Sequence, residues 1–143
     1  MKVFLYYSGK PRDAHANGMA AEFIKRAAHY APTRMTEIKA GKADPVIEVR
    51  AKHPGAKMIL LDPQGRQLES QAFATLFSDA EMRGHDLVFV VGGHDGLAPE
   101  SRERADLLLS LSALTMPHEL ARAVLAEQIY RAFTILRGHP YSR

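Results

Sequence analysis

The 143-residue sequence predicts an α/β fold, with a mostly parallel sheet covered by helices on both faces. Short β-branched and aromatic runs alternate along the chain with segments of helical periodicity. Hydrophobic residues make up 46% and charged residues 24%, as is usual for a globular protein with a buried core. No repeat, low-complexity segment or linker divides the sequence. Residues 1–143 are therefore expected to form one domain.

The first half of the chain is predicted to contain two strands and two helices. Asp44 followed by Pro45 is typical of an N-cap and the first position of a helix. The predicted order is a strand at 2–7, a helix at 21–31 that Pro32 ends, a strand at 34–40 that Gly41 ends, and a helix at 44–53.

The second half is predicted to contain three strands and three helices. The continuous apolar run "DLVFVVGG" indicates a strand that is buried on both faces. The predicted order is a strand at 57–62, a helix at 69–84 with Gly84 at its end, a strand at 86–93, a short polar helix at 99–105, a strand at 106–112 and a helix from Pro117 to Leu136.

The last predicted helix has an apolar face wider than one sheet requires. Glu127 and Arg131 interrupt this face and form a well-oriented i,i+4 pair. Either the chain itself covers the whole face, or a second subunit related by a two-fold axis covers part of it. The apolar stripe consists of Ala121, Leu125, Ile129, Ala132, Phe133 and Leu136, widened by Leu120, Val124 and Tyr130.

Composition excludes several classes of site and partner. The chain has no Cys, which excludes a thiolate nucleophile, disulfides and Cys-based zinc sites. Its seven histidines show no metal-ligand spacing, so no metal is expected. The net charge of +3 permits an anionic partner such as RNA without requiring one. Neither a signal peptide nor a run of about 18 apolar residues is found, so no membrane association and a cytoplasmic location are expected.

Three strands end in loops that are candidates for ligand binding. The loops lie in "LLDPQGR" (60–66), "VVGGHDGL" (90–97) and "SLSALTMP" (110–117). Ligands of open α/β sheets gather at the carboxyl ends of the strands. The third loop has small and apolar residues, and it suits a flat ring such as adenine that is read by backbone groups. A tight glycine turn and a simple buried loop are the alternatives that need no ligand.

The C-terminal two-fifths of the chain resembles a known family. The sequence "VVGGHDGL…LLLSLSALTMPHELARAVLAEQIYRAFTI…HPY", within residues 86–141, resembles the RlmH family of the SPOUT superfamily. Earlier matches are scattered: "AGK" at 40–42 and positions within "LLDPQGRQLESQAFA". The family consists of bacterial methyltransferases that modify N3 of a pseudouridine in large-subunit ribosomal RNA. The resemblance implies the same activity here, most simply on the assembled ribosome.

The resemblance also implies a topology that periodicity does not indicate. From the alternation alone, we expect an unknotted flavodoxin-like sheet. SPOUT domains instead thread the C-terminal segment through a loop to form a deep trefoil knot. The family is homodimeric, with S-adenosylmethionine bound near the subunit interface. By position, the residues expected to contact this cofactor are Leu61, Gly92, Leu111, Ser112, Ala113, Leu114, Thr115 and Met116.

Four residues are candidates for binding the substrate or taking part in methyl transfer. Methyl transfer to a uracil-type N3 needs in-line alignment and removal of the N3 proton. His118 lies beside the adenine-type loop, although a helix cap would also explain it. Arg122, one turn later, could hold a phosphate or be an exposed helix arginine. His139 and Tyr141 could cover the site, or belong to a frayed terminus.

The sequence departs from the family pattern at two places. The glycine loop contains His94 and Asp95 where the family commonly has Pro and Glu, and the tail "RGHPYSR" is short. These departures leave one alternative, a non-catalytic RNA- or ribosome-binding protein that retains the fold. A dinucleotide-dependent oxidoreductase is disfavoured because "SGKPRD" lacks the glycine fingerprint. Further candidate phosphate contacts are Lys25, Arg26, Arg34, Lys39, Lys42, Arg50 and Lys52.

Overall fold

The computed structural model describes residues 1–39 and 44–142, and these residues form an α/β fold. The elements are β1 (Val3–Ser8), α1 (Ala14–Ala27), β2 (Thr33–Ile38), α2 (Pro45–Lys52), β3 (Lys57–Gln67), α3 (Ser70–Arg83), β4 (Leu87–Val91), α4 (Pro99–Glu103), β5 (Leu107–Ser110), α5 (His118–Leu136) and a 3₁₀ turn (Pro140–Ser142). The predicted alternation of strands and helices is confirmed. The "AGK" match at 40–42 lies outside the described residues.

The five strands form one parallel sheet with the order β2-β1-β4-β3-β5. Val3 of β1 aligns with Thr33 of β2 on one side and with Leu87 of β4 on the other. A flavodoxin-like sheet has the order 2-1-3-4-5. The flavodoxin-like expectation is therefore wrong, because β4 lies between β1 and β3. The chain must then pass β3 to reach β5.

Helices cover both faces of this sheet, as predicted. On one face, α1, α3 and α5 pack over a core in which the ring of Phe77 contacts those of Phe89 and Phe133. On the other face, Val46 and Val49 of α2 pack against a smaller cluster. Each fully buried Phe contributes roughly 1.5–3 kcal/mol relative to an exposed position. The two clusters hold the strands so that their carboxyl ends form one rigid edge.

Strand β3 continues five residues beyond its predicted end at residue 62. Leu109 of β5 pairs with Leu61 and again with Arg66, and the intervening residues form an irregularity in the ladder. A Cβ on Gly65 would lie 2.6 Å from the carbonyl carbon of Leu108, so only glycine fits this approach. Pro63 and Gly65 read as a strand end in the sequence because both residues are typical of turns. The knot that the family resemblance implies stays a prediction.

Helix α1 begins at Ala14, seven residues before the predicted start at 21, and ends at Ala27. The side chain of Asp13 caps it by accepting hydrogen bonds from the backbone N–H groups of His15 (3.0 Å) and Ala16 (3.1 Å). Gly18 lies inside the helix and weakens the helical pattern of this segment. The early start brings the β1–α1 loop close to the N-terminus of α5.

The chain itself covers most of α5. Leu125, Ile129 and Phe133 are fully buried beneath α1 and α3. Leu120 remains 44% exposed near the start of the helix. The predicted Glu127–Arg131 ion pair is present, with 2.8 Å between Oε2 and Nη2. No helix in the described part of the chain has the length and hydropathy needed to cross a membrane.

Candidate functional site

A cavity of about 600 Å³ lies at the carboxyl ends of β3, β4 and β5. It brings together the three loops that the sequence singles out. All eight residues predicted to contact a cofactor line it: Leu61, Gly92, Leu111, Ser112, Ala113, Leu114, Thr115 and Met116. Further lining residues, which were not predicted, include Asp62, Pro63, Val91, Gly93, His94, Gly96, Ser110, Pro117 and Ala121.

The first wall of the cavity is the exit of β3. Asp62 is only 5% exposed, and its carboxylate accepts the backbone N–H of Gln64 at 2.9 Å. Its other oxygen forms an ion pair with Nε of Arg102 at 2.8 Å. Arg102 lies on α4, which follows the glycine loop. This ion pair therefore links the helix that follows the glycine loop to the exit of β3, and it neutralises the buried charge of Asp62.

The second wall is the glycine loop after β4. The N–H of Gly96 donates to the carbonyl of Gly93 at 2.9 Å and closes a tight turn. A Cβ on Gly92 would lie 2.7 Å from the carbonyl carbon of Gly96, and Gly96 itself has φ +72°. Both positions thus require glycine for the turn itself, before any ligand is considered. His94 and Asp95 stand exposed at the tip.

The third wall is the loop between β5 and α5. The hydroxyl of Ser110 donates to the carbonyl of Ser112 at 3.0 Å, and the N–H of Leu114 donates to Oγ of Ser112 at 3.0 Å. Within the described residues, the backbone N–H groups of Ala113, Thr115 and Met116 have no hydrogen-bond partner. The loop therefore offers apolar side chains together with unused main-chain donors. This is the chemistry that an aromatic heterocycle such as adenine requires.

His118 is half-buried at the start of α5 and lines the cavity. The N-cap position is Pro117, which makes no side-chain cap, so His118 does not cap the helix. A Cβ on Gly9 would lie 3.9 Å from its Nε2. His118 therefore stands between the apolar loop and the β1–α1 loop, at the edge of the cavity.

Arg122 does not line the cavity, in contrast to the role considered from the sequence. It is 2% exposed, and its guanidinium lies 3.8 Å from the ring centroid of Tyr7. It also donates to Oδ1 of Asn17 and lies 3.7 Å from Glu119. Arg122 is thus not an exposed helix arginine, because residues of its own chain enclose its guanidinium, and its role toward the substrate stays a prediction. The sequence could not indicate this, because α1 and β1 supply the covering residues.

Glu119 is a structural residue that the sequence did not single out. Its carboxylate accepts the backbone N–H groups of Arg12 (2.7 Å) and Asp13 (3.2 Å) and the side-chain amide of Asn17 (3.3 Å). The N–H of Arg12 is the main cause that lowers the pKa of Glu119 below its ordinary value. Glu119 therefore fastens the β1–α1 loop to α5, next to His118.

His139 and Tyr141 also lie away from the cavity of their own chain. The hydroxyl of Tyr141 donates to Oε2 of Glu127 at 2.6 Å, and its ring packs edge-on against Tyr130 with centroids 4.6 Å apart. Burial and the adjacent Glu127 raise the pKa of Tyr141 to about 12. The backbone of His139 is held by Thr134 at 2.9 Å. The described part of the tail is thus docked on α5, which excludes the alternative of a frayed terminus, and the action of His139 and Tyr141 on the substrate stays a prediction.

No cluster of His, Asp and Glu able to hold a metal ion occurs within residues 1–39 and 44–142. The cavity offers backbone donors, apolar walls, one neutralised carboxylate and two imidazoles, those of His94 and His118. It can bind a flat, partly polar molecule and present it to a second reactant at its mouth.

Comparisons with known proteins agree with this description. A family model described as "Predicted SPOUT methyltransferase" matches residues 1–142. A protein of Solibacter usitatus named ribosomal RNA large subunit methyltransferase H is 57% identical over 143 residues and is covered completely, as is this chain. A protein of the same name from Gemmatimonas aurantiaca is 39% identical over 154 residues, again with both chains covered completely.

Solved structures with similar folds are more distant in sequence. A probable methyltransferase from Bordetella pertussis has a TM-score of 0.63 at 14% identity, covering 92% of this chain and 94% of that one. The SpoU methyltransferase AviRb from Streptomyces viridochromogenes, solved in complex with AdoMet, has a TM-score of 0.52 at 13% identity, covering 91% and 57%. At these identities the two structures show a shared fold.

Proposed function

The chain belongs to the SPOUT methyltransferase family, and from this premise we propose that it transfers a methyl group from S-adenosylmethionine to N3 of a pseudouridine in large-subunit ribosomal RNA. The name shared by its full-length relatives supports ribosomal RNA as the substrate. The observation that carries the proposal is the cavity in which three strand-end loops meet. The glycine turn is closed by its own hydrogen bond, and the third loop has backbone donors without partners in the described part of the chain. Both features support the binding of a single ligand between these loops.

The residues present fit S-adenosylmethionine. Main-chain donors at Ala113, Thr115 and Met116 can read the edge of the adenine, while Leu61 and Leu111 provide apolar contact for its faces. When bound, this cofactor supplies a methyl group attached to a sulfonium sulfur. The sulfur is a good leaving group because it becomes a neutral thioether when the methyl group is transferred. The protein needs only to align the acceptor with that methyl group, and alignment alone can lower a barrier by about 7–11 kcal/mol.

His118 is the residue best placed to act on the acceptor. It lies at the cavity edge, without a hydrogen bond in the described part of the chain, and a neutral imidazole can accept the N3 proton. Such general-base action contributes about 10²–10⁴-fold. Tyr141 is suited to hydrogen bonding or stacking, because it carries an aromatic ring and a phenol hydroxyl. Arg122 acts indirectly, through the position of Glu119.

The site becomes complete in a homodimer. Leu114, which lines the cavity, is 79% exposed, and Leu120, in the first turn of α5, is 44% exposed. The docked tail does not reach the cavity of its own chain, so His139 and Tyr141 would serve the cavity of a second copy. We place this dimer in the cytoplasm, with the assembled ribosome as its target and one methyltransferase domain over residues 1–143 in each subunit.

Transfer of tritium from labelled S-adenosylmethionine tests this function. Free RNA, isolated large subunits and whole ribosomes are offered in parallel, from a bacterium that lacks the modification, and the labelled base is mapped. We expect label at N3 of one pseudouridine in the large-subunit RNA. Label at another atom contradicts the proposed acceptor. Cofactor binding by calorimetry without transfer to any of the three substrates favours the non-catalytic alternative.

A further inference from the structure

The loop between β1 and α1, residues 9–13, forms part of the rim of the cavity. Gly9 lies beside His118, with 3.9 Å between a Cβ built on Gly9 and Nε2 of the imidazole. The preceding residue contacts the glycine loop, since a Cβ on Gly93 would lie 3.3 Å from the carbonyl oxygen of Ser8. The loop therefore lies beside His118, and the strand residue that precedes it lies beside the glycine loop, although none of residues 9–13 lines the interior.

This loop is held in place from both ends. Gly9 turns the chain with φ +97°, a conformation that favours glycine. Glu119 accepts the N–H groups of Arg12 and Asp13, and Asp13 then caps α1. Arg122 is buried behind Glu119 and offsets its charge. The position of the loop relative to His118 is thus fixed by hydrogen bonds and does not depend on a ligand.

The side chains that this loop presents to solvent are cationic. Lys10 and Arg12 are both exposed, and neither forms an ion pair within the described residues. The two nearby carboxylates are already engaged, Asp13 by the helix cap and Glu119 by the backbone. By contrast, Arg26 and Arg50 pair with Glu22 and Asp106. Lys42 lies outside the described residues.

We propose that Lys10 and Arg12 bind backbone phosphates of the ribosomal RNA beside the nucleotide that enters the cavity. This inference rests on the proposed function and adds a substrate-binding element to it. When the target base lies beside His118, the phosphates of the same nucleotide are separated from it by one ribose. They therefore lie near the rim of the cavity. Cations on a fixed loop can set the depth and direction of that nucleotide, since phosphate contacts position an RNA without reading its sequence.

The test compares two double variants that carry the same change in charge. Lys10→Ala/Arg12→Ala removes the cations at the rim. Lys2→Ala/Arg83→Ala removes two exposed cations at the amino-terminal edge of the sheet, opposite the cavity. Methylation of unmodified large subunits is measured as kcat and KM over a range of salt concentrations. Binding of S-adenosylhomocysteine is followed by calorimetry, and retention of the large subunits by filter binding.

For the rim variant we expect unchanged binding of S-adenosylhomocysteine, a KM for large subunits raised about tenfold or more, and a salt dependence whose slope falls by about 1 for each cation removed. The control variant should match the wild type. Equal KM values and slopes in the rim variant and the wild type overturn the inference, and so does an equal loss in both variants. Absence of transfer by the wild type counts against the proposed function instead.

Discussion

The hydroxyl of Tyr141 donates a hydrogen bond of 2.6 Å to the carboxylate of Glu127, fourteen residues earlier on α5. The same carboxylate is paired with Arg131, whose guanidinium also lies 5.1 Å from the centroid of the Tyr141 ring. One acidic residue in the middle of the helix thereby fixes the end of the chain. Its counterpart at the start of the helix, Glu119, fixes the β1–α1 loop. The start and the middle of α5 therefore hold the two segments that we assign to substrate binding.

Tyr141 is expected to lose its proton at a higher pH than an ordinary tyrosine. Its pKa is raised from 10.0 to about 12, so the neutral phenol is favoured in the folded state. The resulting stabilisation is present below pH 10 and is lost as the pH rises through the folded value. Burial also raises the pKa of Tyr6, so the absorbance at 295 nm in Tyr141→Phe should lack one of the phenols that titrate at high pH in the wild type and should retain that of Tyr6. Tyr30→Phe is the control. If the titration curve of Tyr141→Phe differs from that of the wild type only near pH 10, the contact between Tyr141 and Glu127 is contradicted.

Gly92→Ala should impair cofactor binding through the shape of the glycine turn. The added Cβ would meet the backbone of Gly96 at 2.7 Å, so the turn must move. We expect affinity for S-adenosylmethionine to fall about tenfold or more, with the far-UV circular dichroism unchanged. Gly55→Ala is the matched control, because a Cβ there meets nothing within 4 Å. Normal affinity in Gly92→Ala would remove the glycine turn from the cofactor site.

Arg102→Ala should leave the buried Asp62 carboxylate without its cation. We expect a loss of about 1–3 kcal/mol in the free energy of unfolding, together with weaker cofactor binding. Arg104 is an exposed neighbour that forms no ion pair in the described part of the chain. Arg104→Ala should therefore leave the free energy of unfolding almost unchanged. Adding Asp62→Asn to Arg102→Ala should recover part of the stability. Urea titration measures all four proteins, and no recovery in the double variant argues against the unpaired charge as the cause.

His118→Gln should slow methyl transfer without loss of the cofactor. If the imidazole accepts the N3 proton, kcat should fall by about 10²–10⁴-fold. Affinity for S-adenosylmethionine should change by less than about threefold, because the predicted adenine contacts are main-chain groups. His29→Gln, exposed between α1 and β2, serves as the control. A fall of similar size in cofactor affinity and kcat would assign His118 to cofactor binding alone.

Glu119→Gln tests how the β1–α1 loop is fastened. The folded pKa of Glu119 lies below the ordinary value of 4.5, so its ionised form stabilises the fold. That stabilisation is present above pH 4.5 and disappears as the pH falls through the lowered pKa. The unfolding free energies of wild type and variant should therefore differ at pH 7 and converge in acid. A difference that is constant with pH would show that charge on Glu119 does not hold the loop.

The alternation of strands and helices could be predicted from the sequence, since it depends on local periodicity. The meeting of the three loops could be predicted as well, because parallel strands place their exit loops at one edge, whereas the individual lining residues came from the family resemblance. Two local signals were misleading: Gly18 concealed the first half of α1, and Pro63 with Gly65 suggested an early end of β3. In α1 the glycine signal was outweighed by the local cap that Asp13 provides, and in β3 the turn signal was outweighed by pairing with β5.

Other features depend on contacts that are distant in the sequence. The position of β4 between β1 and β3 is not encoded in any single segment, and neither is the burial of Arg122 under Tyr7 and Asn17. Family resemblance supplied the cofactor and the substrate, and it could not indicate where the tail docks. The contact between Tyr141 and Glu127 required three-dimensional coordinates.

The placement of α5 has a consequence for biosynthesis. Leu125, Ile129 and Phe133, which close the larger core, are made after every strand of the sheet. A growing chain that still holds these residues in the exit tunnel has an incomplete interior and exposed apolar surface. The larger core can therefore close only after residue 136 has left the exit tunnel. Until then the sheet is complete, but part of its apolar face is uncovered.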